Sequence, residues 1–160
     1  MSDEWKLPWD GWCLCGHIRF QINHPPLLTM ICHCAWCQKQ SASSFSSIIT
    51  LPSSALQITS GAPETSWSNS EHSHYFCPRC KNWLFLRVAD ADVINLRATM
   101  LDDHRWFSPY VEIFARNKAA WVSTVAPHSY ADMPEAEDFE LLMKSFADAG
   151  PRPAVAAVAK

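Results

Sequence analysis

The sequence is poor in features that mark several common classes of protein. It contains only 4 glycines in 160 residues, and they form no glycine-rich nucleotide-binding loop. Its 13 Lys and Arg residues are outnumbered by 16 Asp and Glu residues, which gives a net charge of −3. This balance argues against binding to nucleic acid phosphates. The apolar runs, such as residues 83–86, are far too short to cross a bilayer.

The N-terminal residues lack the pattern of a secretion signal. Asp3 and Glu4 stand where a signal peptide has positive residues, and no apolar core follows them. We therefore expect a cytoplasmic protein with no membrane span. In a reducing compartment the seven cysteines, an odd number, are not a disulfide framework. Metal binding or thiol chemistry becomes the expected role of these cysteines.

Short extended segments dominate the pattern of the chain. Apolar and polar residues alternate from Ile18 to Ile22, as in a half-buried strand. Further short apolar or β-branched runs occupy 46–51, 56–59, 72–76, 83–88, 93–96 and 111–114. Many short strands separated by turn residues predict a mainly β protein built from antiparallel sheets.

One amphipathic helix is predicted near the C-terminus. Asp132 can cap it and Pro134 fits its first turn. Apolar residues then recur at i, i+3, i+4 and i+7 as Phe139, Leu142, Met143 and Phe146. Gly150 and Pro151 end the pattern. We therefore expect a single zinc-binding domain over residues 1–150 and a flexible tail over residues 151–160.

The seven cysteines fall into three short motifs, Cys13-Leu-Cys15, Cys32-His-Cys34-Ala-Trp-Cys37 and Cys77-Pro-Arg-Cys80. Such spacings let thiolates from one turn converge on a single ion, and a tetrahedral zinc takes four ligands. The middle motif supplies three ligands alone, so the two pairs have only each other. The spacing predicts two zinc sites, and inert buried thiols are the alternative reading. The four-cysteine cluster comprises Cys13, Cys15, Cys77 and Cys80; the three-cysteine cluster comprises Cys32, Cys34 and Cys37.

The two clusters predict different roles. A closed four-cysteine site is structural and would join the first strand to the hairpin around Cys77. Three thiolates leave a fourth position for water or substrate, unless His33 or one of His17, His72 and His74 closes the site. Spacing leaves both possibilities open. A zinc ion with three thiolates has a formal charge of −1, so it should activate water poorly and favour a soft sulfur ligand.

The joint cysteine pattern resembles the glutathione-dependent formaldehyde-activating enzyme family. The resemblance rests on the strings 13–20, 32–39 and 76–80, with support from Pro25-Pro26 and from Ala98-Thr-Met-Leu-Asp-Asp103. It covers roughly residues 10–128. Each cysteine pair alone is a weak signal, whereas the three motifs together are specific.

The resemblance implies a zinc-stapled β fold, sometimes called a β-tent. It implies a structural zinc on the four-cysteine cluster and a labile, catalytic zinc on the three-cysteine cluster, which makes two zinc ions per chain. It also implies a carbon–sulfur lyase that acts on S-hydroxymethylglutathione or a similar small thiol–aldehyde adduct. The expected partner is therefore a small-molecule thiol, and the sequence does not indicate an oligomeric state.

The chain departs from the family pattern at two positions. Lys81 stands where the family usually has glycine, and at φ > 0 it would cost on the order of 1 kcal/mol. Glu112 stands where many relatives have histidine. Near the clusters, Trp36 could wall a substrate pocket, and Lys39 and Arg79 could receive the carboxylates of a glutathione-like ligand.

Two other functions fit the same cysteines. A non-catalytic zinc module could bind a protein or chromatin partner, as a centromere-associated eukaryotic relative suggests, although the acidic balance weighs against nucleic acid. A thiol-based sensor could release the labile zinc and pair two cysteines of the three-cysteine cluster. Asp102 and Asp103 could act as acid or base, but such a pair is more typical of a turn.

Overall fold

The computed structural model describes residues 2–68 and 71–153, and over these ranges the chain forms two β-sheets. The strands are β1 Trp9–Trp12, β2 Arg19–Ile22, β3 Leu28–Cys32, β4 Ser46–Pro52, β5 Leu56–Ser60, β6 Glu64–Ser68, β7 His72–Phe76, β8 Trp83–Val88, β9 Val93–Arg97, β10 Val111–Ile113 and β11 His128–Ser129. The α-helices are α1 Ser2–Trp5, α2 Ala35–Ser41 and α3 Ala136–Ala149. The prediction of a mainly β fold with a short C-terminal helix is confirmed.

The small sheet has the order β1-β2-β5 and the large sheet the order β11-β10-β3-β4-β9-β8-β7-β6. Most neighbours in the large sheet are antiparallel, as the short alternating segments predicted. The exception is β10, which lies parallel to both β3 and β11. Parallel strands cannot be joined by a tight turn and need a long connection. The β3–β10 pair joins strands about 80 residues apart, which no local sequence pattern relates.

The large sheet separates two apolar cores. One core contains Met30 and Ile48 of the large sheet, and Leu142 and Phe146 of α3 pack against that face. We call this side of the sheet the helix side. The other core contains Ile49 and Leu51 of β4 with Phe20 and Ile22 of the small sheet, and we call it the small-sheet side. Side chains alternate between the two faces along β4, so this strand contributes residues to both cores.

Helix α3 buries the apolar stripe that the sequence predicted. Leu142 and Phe146 are buried, and Phe139 and Met143 pack beside them. The predicted cap is wrong: the helix begins at Ala136, and Asp132 instead forms an ion pair with Arg116. Asp132 lies too far before the first helical turn to accept its N–H groups, because a cap must be the residue adjoining the helix.

The end of α3 is held by a residue of the predicted tail. Arg152 donates hydrogen bonds to the carbonyls of Ala147 at 2.6 Å and Gly150 at 2.7 Å, which satisfies acceptors that a helix end leaves open. The division into a domain of residues 1–150 and a tail of 151–160 stays a prediction, and residues 154–160 lie outside the described residues. No helix in the described part of the chain has the length and apolar character needed to span a membrane.

Candidate metal centres

The fold brings the two cysteine pairs, Cys13 with Cys15 and Cys77 with Cys80, together as the predicted four-cysteine cluster. The four sulfur atoms lie within 4.8 Å of one another. The Sγ atoms of Cys13 and Cys15 are 3.6 Å apart, and those of Cys15 and Cys77 are 3.7 Å apart. A regular tetrahedron with Zn–S bonds of 2.3 Å has sulfur–sulfur edges of about 3.8 Å. The sulfur positions therefore fit a tetrahedral zinc ion.

Two tight turns present these sulfurs. In the first, the Cys13 N–H bonds to the Ile18 carbonyl at 3.1 Å, and the Ile18 N–H points at the Cys13 sulfur at 3.3 Å. Gly16 takes φ +72° in this turn, a conformation that glycine adopts without a steric penalty. The turn thereby closes over its own ligand, which orients the thiolate through a backbone N–H.

The second turn repeats the design around Cys77. The Cys77 N–H bonds to the Asn82 carbonyl at 3.0 Å, and the Lys81 N–H bonds back to the Cys77 carbonyl at 3.0 Å. The Asn82 side chain accepts from the Leu14 N–H at 3.0 Å and so ties the two turns together. Lys81 does adopt φ +60°, the condition under which lysine was expected to be strained. The Lys81 ammonium lies 2.6 Å from Glu64 in an exposed ion pair, so the substitution leaves the turn intact.

The three-cysteine cluster forms where β3 passes into α2. Cys32 ends β3, Cys34 precedes α2, and Cys37 lies in its first turn. The Cys37 N–H donates to the Cys34 sulfur at 3.4 Å. The three sulfurs lie within 4.8 Å of one another. A strand end and the first helical turn thus place three sulfurs around one point, and the soft donor set suits zinc.

Within residues 2–68 and 71–153, the three-cysteine cluster has no fourth protein ligand of the predicted kind. Among the described side chains, no further His, Cys, Asp or Glu atom falls within the same 4.8 Å group. His33 is completely buried, but its Nε2 lies 3.2 Å from Glu112 instead of facing the sulfurs. Of the two possibilities that spacing left open, this geometry favours an open fourth position.

Glu112 occupies a buried polar network beside the cluster. Its carboxylate accepts from Ser129 Oγ and Thr124 Oγ1, both at 2.8 Å, and pairs with Lys118 Nζ at 3.0 Å. Burial raises the pKa of Glu112, but these donors and His33 outweigh it and lower the pKa to about 2. The residue that departs from the family pattern is therefore an ionised anchor between β10, the three-cysteine loop and the segment 118–129.

The thiols of the three-cysteine cluster perturb one another strongly. Hydrogen bonds from Cys32 and Cys37 lower the pKa of Cys34 to about 2, and the contact with Cys34 raises the pKa of Cys32. The three thiols therefore titrate as one coupled group, in which hydrogen bonds between the sulfurs stabilise the thiolate form. A cluster that already shares a negative charge is prepared to receive a cation.

A cavity of about 290 Å³ lies next to α2, the helix that carries Cys37; Asn82 of the Cys77 turn also lines it, and no cysteine of either cluster is among its lining residues. It is rich in hydroxyl groups, and Trp83 and Arg97 form part of its wall. The Ser41 hydroxyl donates to the Cys37 carbonyl at 2.6 Å, so the wall adjoins the metal loop. The pKa of Cys37 is raised, because the lowering effects of Cys32, Arg97 and the Ser46 hydroxyl are outweighed by the contact with Cys34 and by burial. The hydroxyl-bearing residues of the wall are Ser41, Ser43, Ser46, Ser47 and Thr99.

Sequence reasoning missed Arg97. This residue ends β9 with only 4% of its surface exposed, and its guanidinium carbon lies 4.0 Å from the centroid of the Trp83 ring. Burial lowers the pKa of Arg97 to about 10, against the opposing effect of the Cys37, Cys32 and Cys34 thiolates, so it stays charged at neutral pH. The only signal in the sequence was a basic residue inside an otherwise apolar segment that runs into the Ala98-Thr99 stretch.

The other polar or aromatic candidates from the sequence lie elsewhere. Lys39 and Arg79 are exposed and do not line this cavity. Trp36 is 56% exposed and is not part of the cavity wall either. Asp102 and Asp103 are exposed in a bend, where Asp103 pairs with Arg105 at 2.9 Å, which agrees with a turn role.

The two β-sheets and the two cysteine clusters whose geometry could hold metal ions place the chain among small β proteins with cysteine metal sites. A comparison with family models matches residues 8–117 to the family described as glutathione-dependent formaldehyde-activating enzyme. The chain belongs to that family, which links it to glutathione-related formaldehyde activation and confirms the resemblance read from the cysteine motifs.

Two further comparisons add little. A comparison with curated proteins found no significant match. Among solved structures, a Rhodobacter sphaeroides protein from a structural genomics programme is similar, with a TM-score of 0.48 and 18% sequence identity. The similarity covers 58% of this chain and 87% of that chain.

Proposed function

We propose that this protein is a zinc-dependent carbon–sulfur lyase acting on S-hydroxymethylglutathione or a similar small thiol–aldehyde adduct. The observation that carries the proposal is the three-cysteine cluster: three sulfurs within 4.8 Å, with no fourth His, Cys, Asp or Glu ligand among the described side chains and with a polar cavity next to α2, the helix that carries Cys37. Family membership supports the substrate class.

In this proposal the chain binds two zinc ions with separate tasks. The four-cysteine cluster holds a structural ion, because its four sulfurs complete a tetrahedron and join residues 62 positions apart. The three-cysteine cluster holds the second ion. A zinc ion there supplies a thiophilic position for the sulfur of the adduct, which a neutral His site would serve less well.

The residues of the cavity orient the rest of the substrate. Cleavage of the adduct HO–CH2–SR releases the hydroxyl proton to solvent, turns the C–O bond into the carbonyl of formaldehyde and leaves the electron pair of the broken C–S bond on sulfur as a thiolate. The developing charge on oxygen therefore needs donors, and the hydroxyls of Ser47 and Thr99 line the cavity in which that oxygen would lie. Trp83 supplies an apolar wall for the carbon.

The exchange rate between glutathione, labelled formaldehyde and their adduct, measured by NMR, tests the proposal. We expect exchange well above the uncatalysed rate with the zinc-loaded protein and at the uncatalysed rate with Cys34→Ser. Lys39→Ala is the matched control, since Lys39 lies in α2, the helix that carries Cys37, but is exposed and outside the cavity. Exchange at background for zinc-replete wild-type protein would refute the lyase proposal for this substrate.

A further inference from the structure

Arg97 is a buried cation whose hydrogen bonds are incomplete. Its Nη2 donates to the Asn95 carbonyl at 3.0 Å. Its Nε and Nη1 are buried and have no hydrogen-bond partner among the described residues. Among the described Lys and Arg side chains it is the one that is buried, and none of the ion pairs in this part of the chain includes it.

A guanidinium in this position needs a negative charge nearby. Removing an ion from water costs more free energy than stacking on an aromatic ring returns. The stacking of Arg97 on Trp83 therefore does not balance its burial alone. A carboxylate would be the usual partner, and the described ion pairs provide none for Arg97.

The strand register places Arg97 on the same side of the large sheet as the three-cysteine cluster. Arg97 of β9 lies opposite Ile48 of β4, and Cys32 of β3 lies opposite Ser46 of β4. Because Ser46 and Ile48 are two residues apart, their side chains and those of their partners point to the same face. Trp83, on which Arg97 stacks, shares the helix-side core with Cys32 and Cys37.

The charges of the two groups complement each other. Three thiolates around a divalent ion sum to −1, and the guanidinium contributes +1. His74, which lies on the same face opposite Leu86, does not contribute a second cation at neutral pH, because burial, together with the neighbouring His72 and Arg97, lowers its pKa to about 4. The cluster and Arg97 thus form a neutral assembly when the metal is bound.

We propose that Arg97, stacked on Trp83, is the charge partner of the three-cysteine zinc site and sets the affinity of that site for the metal. This inference rests on the proposed function for the presence of zinc at the cluster, and it assigns to Arg97 a positioning role, not a contact with the reacting atoms. Groups that support metal ligands from behind typically change metal affinity by about 10- to 100-fold when they are removed.

The charge partner of the zinc site must keep its positive charge, and Arg97 does so. Arginine stays protonated under all physiological conditions, so the balance does not depend on pH. Its planar fork can stack on Trp83 and still direct N–H groups to one side, which a lysine ammonium cannot do. Lysine should therefore keep the charge balance and lose part of the geometry.

Zinc competition with a chromophoric chelator tests the proposal on four variants. Arg97→Met removes the charge and keeps the length, whereas Arg97→Lys keeps the charge. Arg97→Gln is a second neutral variant in case the methionine variant fails to fold. Arg87→Met is the matched control, because Arg87 also lies over an aromatic ring, Tyr75 at 5.9 Å, but is exposed on the neighbouring strand β8.

We expect the neutral variants to bind the weaker of the two zinc ions about 10- to 100-fold less tightly, with the tighter ion unchanged. Arg97→Lys should lie between these variants and wild type, and Arg87→Met should match wild type. The charge-transfer absorption of Co²⁺-loaded protein reports which cluster is filled, and its four-sulfur signal confirms that each variant is folded. A folded neutral variant with wild-type affinity for both ions would overturn the proposal.

The outcomes separate this inference from the lyase proposal. Two zinc ions, with the second dependent on Arg97 but no adduct exchange, would refute the lyase proposal and support the charge partner. Adduct exchange that requires the second zinc ion, with a zinc affinity that does not depend on Arg97, would support the lyase proposal and refute the charge-partner role of Arg97. Wild-type protein that holds a single zinc ion would refute both.

Discussion

His33 Nε2 lies 3.2 Å from Glu112 Oε2, and this buried contact turns a histidine inside the three-cysteine motif away from the sulfurs. The two residues are 79 positions apart in the chain and meet because β10 pairs with β3. A residue that the spacing made eligible as a fourth ligand is thus engaged by Glu112 instead.

Glu112→Gln should destabilise the protein in a way that depends on pH. The folded pKa of Glu112, about 2, lies below its ordinary 4.5, so its stabilisation is complete above pH 4.5 and is lost as the pH falls towards 2. The difference corresponds to about 3 kcal/mol. Urea unfolding of zinc-loaded protein at a series of pH values should show a gap between wild type and variant that closes in this window.

Glu64→Gln is the control for that series. Glu64 pairs with Lys81 at the surface, and an exposed pair contributes less than about 1 kcal/mol. Its stability gap should be small and nearly constant with pH. A Glu112→Gln gap that stays constant between pH 7 and pH 3 would contradict the ionised network.

The two clusters should respond differently to loss of one sulfur. Cys77→Ser removes a ligand that joins two distant turns, and zinc at closed sites of this kind contributes about 10 kcal/mol or more to folding. We expect that variant to be unfolded. Cys34→Ser should stay folded and hold one zinc ion instead of two. Native mass spectrometry and thermal melting together distinguish these results, and a stable, fully folded Cys77→Ser protein would remove the structural role.

Lys81→Gly should stabilise the protein. Lys81 adopts φ +60°, which costs a residue with a side chain on the order of 1 kcal/mol, and its exposed pair with Glu64 is a small loss. We expect a gain of up to about 1 kcal/mol in thermal or urea unfolding. Asp90→Gly is the comparison, because Asp90 has φ +58° but aspartate tolerates this region better. An equal gain at both positions would show that strain at Lys81 is not special.

Blocking the cavity next to α2 should raise KM without loss of metal. Ser43 is an exposed residue of its rim, so Ser43→Trp should obstruct substrate entry while both clusters keep their zinc. Val125→Trp is the comparison, because Val125 lines only the adjoining apolar cavity of about 400 Å³, which shares Phe45, Ser47 and Thr99 with the first cavity but not Ser43. Adduct-exchange rates measured against substrate concentration would separate them. A larger effect at Val125 would point to the apolar cavity as the substrate site.

The sequence predicted the parts of the molecule whose signal is local. Strands such as β7 and β8 have bounds that match the apolar runs, and the cysteine spacing predicted both clusters. Strand β3 was missed because all five of its residues are buried, so no apolar–polar alternation marks it. Helix α2 was missed because its seven residues are too few for a periodic pattern.

The site itself was predictable only where its ligands are close in sequence. From the sequence alone, Arg97 would be expected to face solvent at the end of a strand. It is buried because β9 pairs with β4 inside the large sheet. The role of Glu112 likewise depends on the parallel pairing of β10 and β3. Both residues gain their meaning from contacts across the sheet, which local periodicity does not encode.

The sequence spacing of the cysteines also determines the order in which the two clusters become complete during synthesis. The three-cysteine cluster spans six residues, whereas Cys15 meets Cys77 only across 62 positions. Closing such a loop carries an entropic cost that grows with its length, and the partner must first be synthesised at about 5–20 residues per second. A nascent chain can therefore offer the three-cysteine cluster to a metal ion seconds before the four-cysteine cluster is complete. The cluster whose cysteines are far apart in sequence is thus the second to become available during synthesis.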